Sequence, residues 1–139
     1  MDDKFYYRRA TYYETDRMGI VHHSNHIRYF EEARIDFMHK IGCDVLDLEK
    51  EGIIIPNTEA SAKYAKPIGF FDNVYVETKL VRFNGSRMEF DYIIRFCDTD
   101  EIAATGHTGH CFTTMNMKPV SIRKTYPEFY QRLLEKLEK

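Results

Sequence analysis

Two alternating runs, "NVYVETKLVRF" at 73–83 and "SRMEFDYIIRFC" at 86–97, are joined by Asn84-Gly85. That dipeptide is favoured in type I′ hairpin turns, whose two central residues both need positive φ. In the second run Met88, Phe90, Tyr92, Ile94 and Phe96 share one face, while Arg87, Glu89, Asp91 and Arg95 mostly fill the other. A chain built on this hairpin contains an antiparallel sheet with one buried face and one wet face.

The remaining segments surround that hairpin. "KFYYRRATYYE" at 4–14 predicts a first strand, running into the turn-prone "TDRMG". From Ser24 the period changes: Ile27, Phe30, Ala33, Arg34, Phe37, Met38 and Ile41 recur at steps of three and four, the mark of one helical face. Ser24 or Asn25 is a suitable N-cap, and Gly42 a stop. "DVLDLEKEG" predicts a short second helix, and "IIIPNTEASAKYA" an extended segment with Pro56 near its start. "EIAATGHTGHCFTTM" has strand composition, its two glycines marking a bulge or a close approach to the backbone. Residues 127–139 predict a C-terminal helix with Phe129, Leu133, Leu134 and Leu137 as its apolar stripe. The order of one strand, a long helix and four strands predicts an α+β architecture, a single domain over 1–139, with an antiparallel sheet on one long helix. Such a sheet has edges to protect, and pairing edge to edge in a dimer is one solution.

Charge and cysteine usage narrow the partners. With 20 basic and 22 acidic residues, the formal charge of -2 gives no global field for nucleic acid. No apolar run approaches the roughly 20 residues that cross a bilayer, and "MDDKFYYRRA" has no secretory h-region, so neither a membrane nor export is expected. Cys43, Cys97 and Cys111 lack C-x-x-C spacing, which fits a reducing compartment; the cytoplasm is the expected location.

The chemistry concentrates in Glu14 to His26, "ETDRMGIVHHSNH". His22 and His26 are four apart and could share a helical face, but the H-E-x-x-H glutamate and a third ligand are missing, so no metal and no cofactor are expected. Asp16 has two readings. A carboxylate in a turn is commonly a turn-former. Beside it, however, Gly19 lets the backbone bend past a ligand, and the first-turn amides around His23 to Asn25 can stabilise an oxyanion. A carboxylate with amide donors suits acyl transfer, and a thioester suits so sparse a site because a thiolate, of pKa about 8.5, leaves readily. Asp16 would either attack the carbonyl or take a proton from the attacking water. No G-x-S-x-G supports a serine nucleophile, and no cysteine lies in a reactive setting.

"YYETDRMGIVHHSNHIRYFEEAR", Tyr12 to Arg34, resembles the signature of hot-dog-fold acyl-CoA thioesterases of the 4-hydroxybenzoyl-CoA thioesterase type. "YAKPIGFFDNVYVETKL" and "TGHTGHCFTTMNMKPVSI" resemble later segments of the same family. The resemblance implies a five-stranded antiparallel sheet wrapped around one long central helix, plus the C-terminal helix. It implies subunits joined in a homodimer or homotetramer, with active sites at the interface. Asp16 matches the catalytic carboxylate, and His23 falls near the thioester, with either a catalytic or a capping role. Gly19, Val21, His22, Ser24, Asn25 and His26 would surround the acyl-CoA substrate. Lys63 and Arg87, with Lys66, Lys118 and Arg123, are candidate contacts for the coenzyme A phosphates. Many members carry Tyr where this chain has His26 and a small residue or Pro where it has Arg17. Glu31 and Glu32 are expected on the helix surface or at an interface. The function implied is hydrolysis of an acyl-CoA to the acid and coenzyme A. Alternatives are thioester release from an acyl carrier protein, a non-catalytic acyl-CoA-binding module and, more distantly, a hydratase.

Overall fold

The structure is a computed structural model, which describes residues 2–139. In chain order the strands are β1 (Tyr6–Arg9), β2 (Ile53–Ile54), β3 (Asn57–Tyr64), β4 (Asn73–Phe83), β5 (Arg87–Phe96), β6 (Ile102–Cys111) and β7 (Thr113–Thr114). The helices are α1 (His23–Lys40), α2 (Val45–Lys50), α3 (Ile122–Thr125) and α4 (Pro127–Lys136). Five strands form one antiparallel sheet in the order β1-β4-β5-β6-β3, and β2 pairs with β7 in a small second sheet. The sheet wraps α1, as the hot-dog architecture requires.

The alternation read from the sequence sets which face meets the helix. Val74, Val76 and Leu80 of β4 and Met88, Phe90, Tyr92 and Ile94 of β5 are buried, and so are Tyr29, Phe30, Ala33 and Met38 of α1. Each large side chain removed from water contributes about 1.5–3 kcal/mol. One glycine controls how closely helix and sheet meet: a Cβ on Gly106 would lie 2.1 Å from the Phe30 ring, so only glycine lets Phe30 stack on Tyr92 at 4.6 Å. The close approach anticipated for this strand is therefore a helix side chain seated on β6.

Several boundaries differ from the sequence reading. The first strand stops at Arg9, and Tyr12–Glu14 form a 3-10 turn because the Glu14 carboxylate folds back to accept from the Thr11 amide at 2.9 Å. The extended run from Ile53 splits at Pro56, which has no amide to donate, so β2 joins β7 and β3 joins β6. In the hairpin only Gly85, at φ +90°, takes a positive φ; Asn84 does not. The Asn84 amide donates to the Arg87 carbonyl, which places Gly85-Ser86 at the centre of the turn. That is the glycine-first pattern of a type II′ turn rather than type I′. The Asn84 side chain instead accepts from the Ser86 and Arg87 amides at 2.9 and 2.8 Å. At the C-terminus Phe129 and Leu133 are buried, but Leu134 is exposed. Strand β3 lies at the sheet edge with nearly every residue exposed.

Candidate active site

Glu14 organises the region. Its carboxylate is buried and accepts from Arg8 Nη1 at 2.7 and 2.8 Å, from the Thr11 amide at 2.9 Å and from the Tyr29 hydroxyl at 2.8 Å. Burial alone would raise its pKa, but these donors overcome that and hold it at about 2. The Glu14 carbonyl accepts from the His22 amide at 2.8 Å and from Asn25 Nδ2 at 2.9 Å. One residue thus ties together β1, the start of α1 and both ends of the intervening loop.

That loop carries Asp16. The Asp16 amide donates to the Ile20 carbonyl at 2.8 Å, the Gly19 amide donates back to the Asp16 carbonyl at 3.0 Å, and Gly19 takes φ +78°. Val21, which is buried, anchors the loop through its amide to the Ile68 carbonyl at 2.7 Å. Asp16 Oδ1 accepts from the Met18 amide at 2.8 Å, the turn-forming role of such residues, whereas Oδ2 accepts no hydrogen bond among the described residues.

Helix α1 begins at His23, and its cap is His22, two residues before Ser24 and three before Asn25, the N-caps expected from the sequence. His22 Nδ1 accepts from the Ser24 amide at 3.2 Å and lies 2.9 Å from the Ser24 hydroxyl. The ring nitrogen does what an Asp or Ser oxygen does elsewhere. Asn25 is unable to cap because it is buried and its side chain is committed to Glu14. Of the first-turn amides, Ser24 donates to His22 Nδ1 and Asn25 to the His22 carbonyl, leaving His23 N–H without an acceptor among the described residues.

Asp16, Ile20, His23, His26, Tyr64 and Lys66 line a cleft of about 320 Å³. His26 is buried, which lowers its pKa and keeps the imidazole neutral near pH 7. Tyr64 is a cleft residue the sequence reading passed over: its hydroxyl donates to the His23 carbonyl at 2.9 Å, and its ring meets His26 edge-on at 4.7 Å. The only sequence signal was an aromatic at the end of an edge strand.

The structure brings Asp16, Gly19, Val21, His22, His23, Ser24, Asn25 and His26 together, with distinct roles: Asp16, Val21, His23 and His26 line the cleft, and Asn25, His22 and Ser24 shape it. Lys63 lies on the far side of β3, beside His107 and Asp91, and Arg87 opens β5 opposite Cys111; neither lines the cleft. Among the basic candidates Lys66 does, and it is paired with Glu101. Arg123 lies over the Tyr130 ring. On the helix surface Glu32 forms an ion pair with Arg8 Nε at 3.0 Å and accepts from the Tyr6 hydroxyl at 3.1 Å. His22 sits outside the helix, so it shares no helical face with His26. Glu59, Glu89 and His107, which could hold a metal, lie away from this cleft.

A family model described as thioesterase-like superfamily matches residues 10–134. The chain belongs to this superfamily. Its hot-dog fold and its class as a thioester hydrolase stand as the sequence resemblance implied. A protein of Aquifex aeolicus that carries an esterase name is 39% identical to this thioesterase-like chain over 120 residues, 86% of this chain and 91% of that one. The 1,4-dihydroxy-2-naphthoyl-CoA hydrolase of Thermosynechococcus vestitus is 27% identical over 123 residues, 88% of this chain and 84% of the relative. The crystal structure of DHNA-CoA thioesterase from Staphylococcus aureus superposes with a TM-score of 0.91 and 31% identity, over 95% of this chain and 89% of that one. No helix among the described residues is long and apolar enough to cross a membrane.

Proposed function

We propose that this thioesterase-like protein hydrolyses an acyl-CoA, and an aryl-CoA in particular, to the free acid and coenzyme A. One observation carries the reading: Asp16, with Oδ2 unoccupied, and His23, with its amide unpaired at the positive end of α1, line the same cleft. The relatives that act on dihydroxynaphthoyl-CoA support an aryl acyl group.

The thioester carbonyl oxygen accepts from His23 N–H, which strengthens its bond as negative charge develops there. In the general-base route a water oxygen bonds to the carbonyl carbon while Asp16 Oδ2 takes its proton. The tetrahedral intermediate then collapses, the carbon–sulfur bond breaks and coenzyme A leaves as its thiolate. In the nucleophilic route Oδ2 itself bonds to the carbon, the carbon–sulfur bond breaks to release the thiolate, and water hydrolyses the resulting anhydride to the acid and the free Asp16 carboxylate. In labelled water, label recovered in the Asp16 carboxylate marks the anhydride route, through water attack at the Asp16 carboxyl carbon. Neutral His26 keeps a second positive charge off the cleft wall, and Lys66 at the rim meets the anionic coenzyme A. The exposed β3 edge pairs with its copy to form a homodimer.

The test is thiol release by wild type and Asp16→Asn across benzoyl-, hydroxybenzoyl- and straight-chain acyl-CoAs. The expected result is loss of at least about 100-fold in kcat, the scale of a positioned acid–base group. Equal rates in both proteins would return Asp16 to the role of a turn residue.

A further inference from the structure

A second cleft, of about 310 Å³, opens at the other end of the α1–β3 seam, lined by Arg34, Ile35, Met38, Ile54, Ile55 and Met88 among others. Its walls are apolar apart from the Arg34 guanidinium and the carboxylate of Glu49, which is exposed on α2. Arg34 is 8% exposed, has no carboxylate within 4.0 Å among the described residues and makes one long hydrogen bond, from Nη1 to the Tyr92 hydroxyl at 3.4 Å. Arg8, by contrast, is paired with the Glu14 carboxylate at 2.7 Å. A guanidinium carries five N–H donors, and an unneutralised buried charge is costly unless something supplies the missing acceptor. Behind it Tyr92 pairs with Thr108 at 2.6 Å, and Thr108 with His110 at 2.8 Å, with no carboxylate among them. The spare donors of Arg34 therefore belong to the cleft rather than to the core.

The topology says what fills it. The Asp16 cleft holds Tyr64, at one end of β3, and the Arg34 cleft holds Pro56, immediately before the other end. Both lie on the α1 side of the sheet. When two copies pair antiparallel along their exposed β3 edges about a two-fold axis, the Tyr64 end of one lies beside the Pro56 end of the other. The Asp16 cleft of one subunit then adjoins the Arg34 cleft of its partner.

We propose that Arg34 of the partner subunit completes the substrate site, donating to an acceptor oxygen, phenolic or carboxylate, on an aryl acyl group whose thioester lies at Asp16. The inference rests on the thioester-hydrolase reading above and adds the specificity-determining residue.

The experiment compares kcat/KM for benzoyl-CoA with that for its hydroxy- and carboxy-substituted forms in wild type, Arg34→Met and Arg34→Lys. Arg34→Met is expected to lower kcat/KM for the substituted substrates by about 10–100-fold, the range of a charge-assisted hydrogen bond, and to leave benzoyl-CoA within about threefold. Arg34→Lys, which keeps the charge, falls between and serves if the Met variant folds poorly. An equal loss on all three substrates would make Arg34 a core residue and overturn the proposal. If wild type turns over none of them, the hydrolase reading fails by itself. The same ratios are then read by calorimetry as affinities for the non-hydrolysable thioether analogues. Mixing Asp16→Asn with Arg34→Met subunits tests the placement. Mixed dimers regain one intact site, so activity on the substituted substrates should recover to about a quarter of wild type by random exchange. No recovery, with exchange confirmed by mass spectrometry, would overturn the contribution in trans.

Discussion

Two buried polar clusters hang from α1, one through Tyr29 and one through Arg34, and they are built on opposite plans. At Tyr29 the charges cancel: the Glu14 carboxylate receives Arg8, Thr11 and Tyr29, and it stays ionised at a pKa of about 2. At Arg34 the cation has no anion, and His110 is held neutral with a pKa of about 3, first by burial and then by the charge of Arg34. Moreover, His110 Nδ1 is buried without a partner. A cluster whose charges cancel holds shape, which is what the loop presenting Asp16 requires. A cation without an anion retains donors, and donors facing a largely apolar cleft are recognition chemistry.

The sharpest way to break this contrast is to remove charge from each cluster in turn. Glu14→Gln leaves Arg8 facing a neutral amide, and removing one partner of a buried pair typically costs about 3–5 kcal/mol. We expect a loss of about 3 kcal/mol in urea denaturation, since Arg8 is slightly exposed, together with loss of activity as the Asp16 loop slackens. Arg34→Met should cost less than about 1 kcal/mol, because it removes a charge with no partner in its own chain. If Arg34→Met proved the more destabilising of the two, the distinction between scaffold and recognition cluster would collapse.

The pH dependence sharpens it next. The folded pKa of His110 lies below its unfolded value near 6.5, so below pH 6.5 the unfolded chain binds a proton that the native state refuses. Stability should therefore fall on acidification by about 1.4 kcal/mol per pH unit, continuing until pH approaches the folded value of about 3. His26 adds in the same direction. Between pH 7 and 5 the Glu14 cluster contributes no slope; its stabilisation is complete above its unfolded pKa of 4.5 and is lost only as pH falls towards about 2. His107, whose pKa is raised chiefly by Asp91, has its stabilisation fully present in acid and loses it only as pH rises through that raised value. Urea midpoints at pH 7, 6 and 5 should drop steadily in wild type and less steeply in His110→Asn. An unchanged slope would mean that the Arg34 cluster is open to water and titrates normally.

What the sequence could and could not show follows the same division. Periodicity located α1, the β4–β5 hairpin and the sheet's buried face, because burial of alternate residues leaves a repeating mark. Asp16 and the start of α1 were legible because turn and helix-entry residues carry local signatures. His22 as the cap was not, since a ring nitrogen substituting for an oxygen has no strong compositional signal. Asn25 shows the converse: its residue type suggested a cap or substrate contact, while its partner, the Glu14 carbonyl, is fixed by tertiary folding. Glu14 looked like an ordinary charged residue at a strand end, and Arg34 was read on the helix's periodic face without a role of its own. Only the contacts they make across the sheet and the helix distinguish them.

The smallest effect expected is at the junction between the site and the edge strand. The Tyr64 hydroxyl donates to the His23 carbonyl, so it ties β3 to the first turn of α1, yet Tyr64 is 51% exposed. In Tyr64→Phe the freed carbonyl can take a water, so the stability cost should not exceed about 1 kcal/mol. The ring, and its edge-on contact with His26, remain. The effect on catalysis should be larger than that on folding, because the first turn of α1 presents the His23 amide and a small tilt changes its aim at the carbonyl oxygen. We expect kcat/KM to fall about 3–10-fold with an unchanged urea midpoint. A loss of stability above about 2 kcal/mol would assign Tyr64 to the Glu14 scaffold, whereas no change in either quantity would mean that Glu14 and Asn25 alone set the position of the helix start.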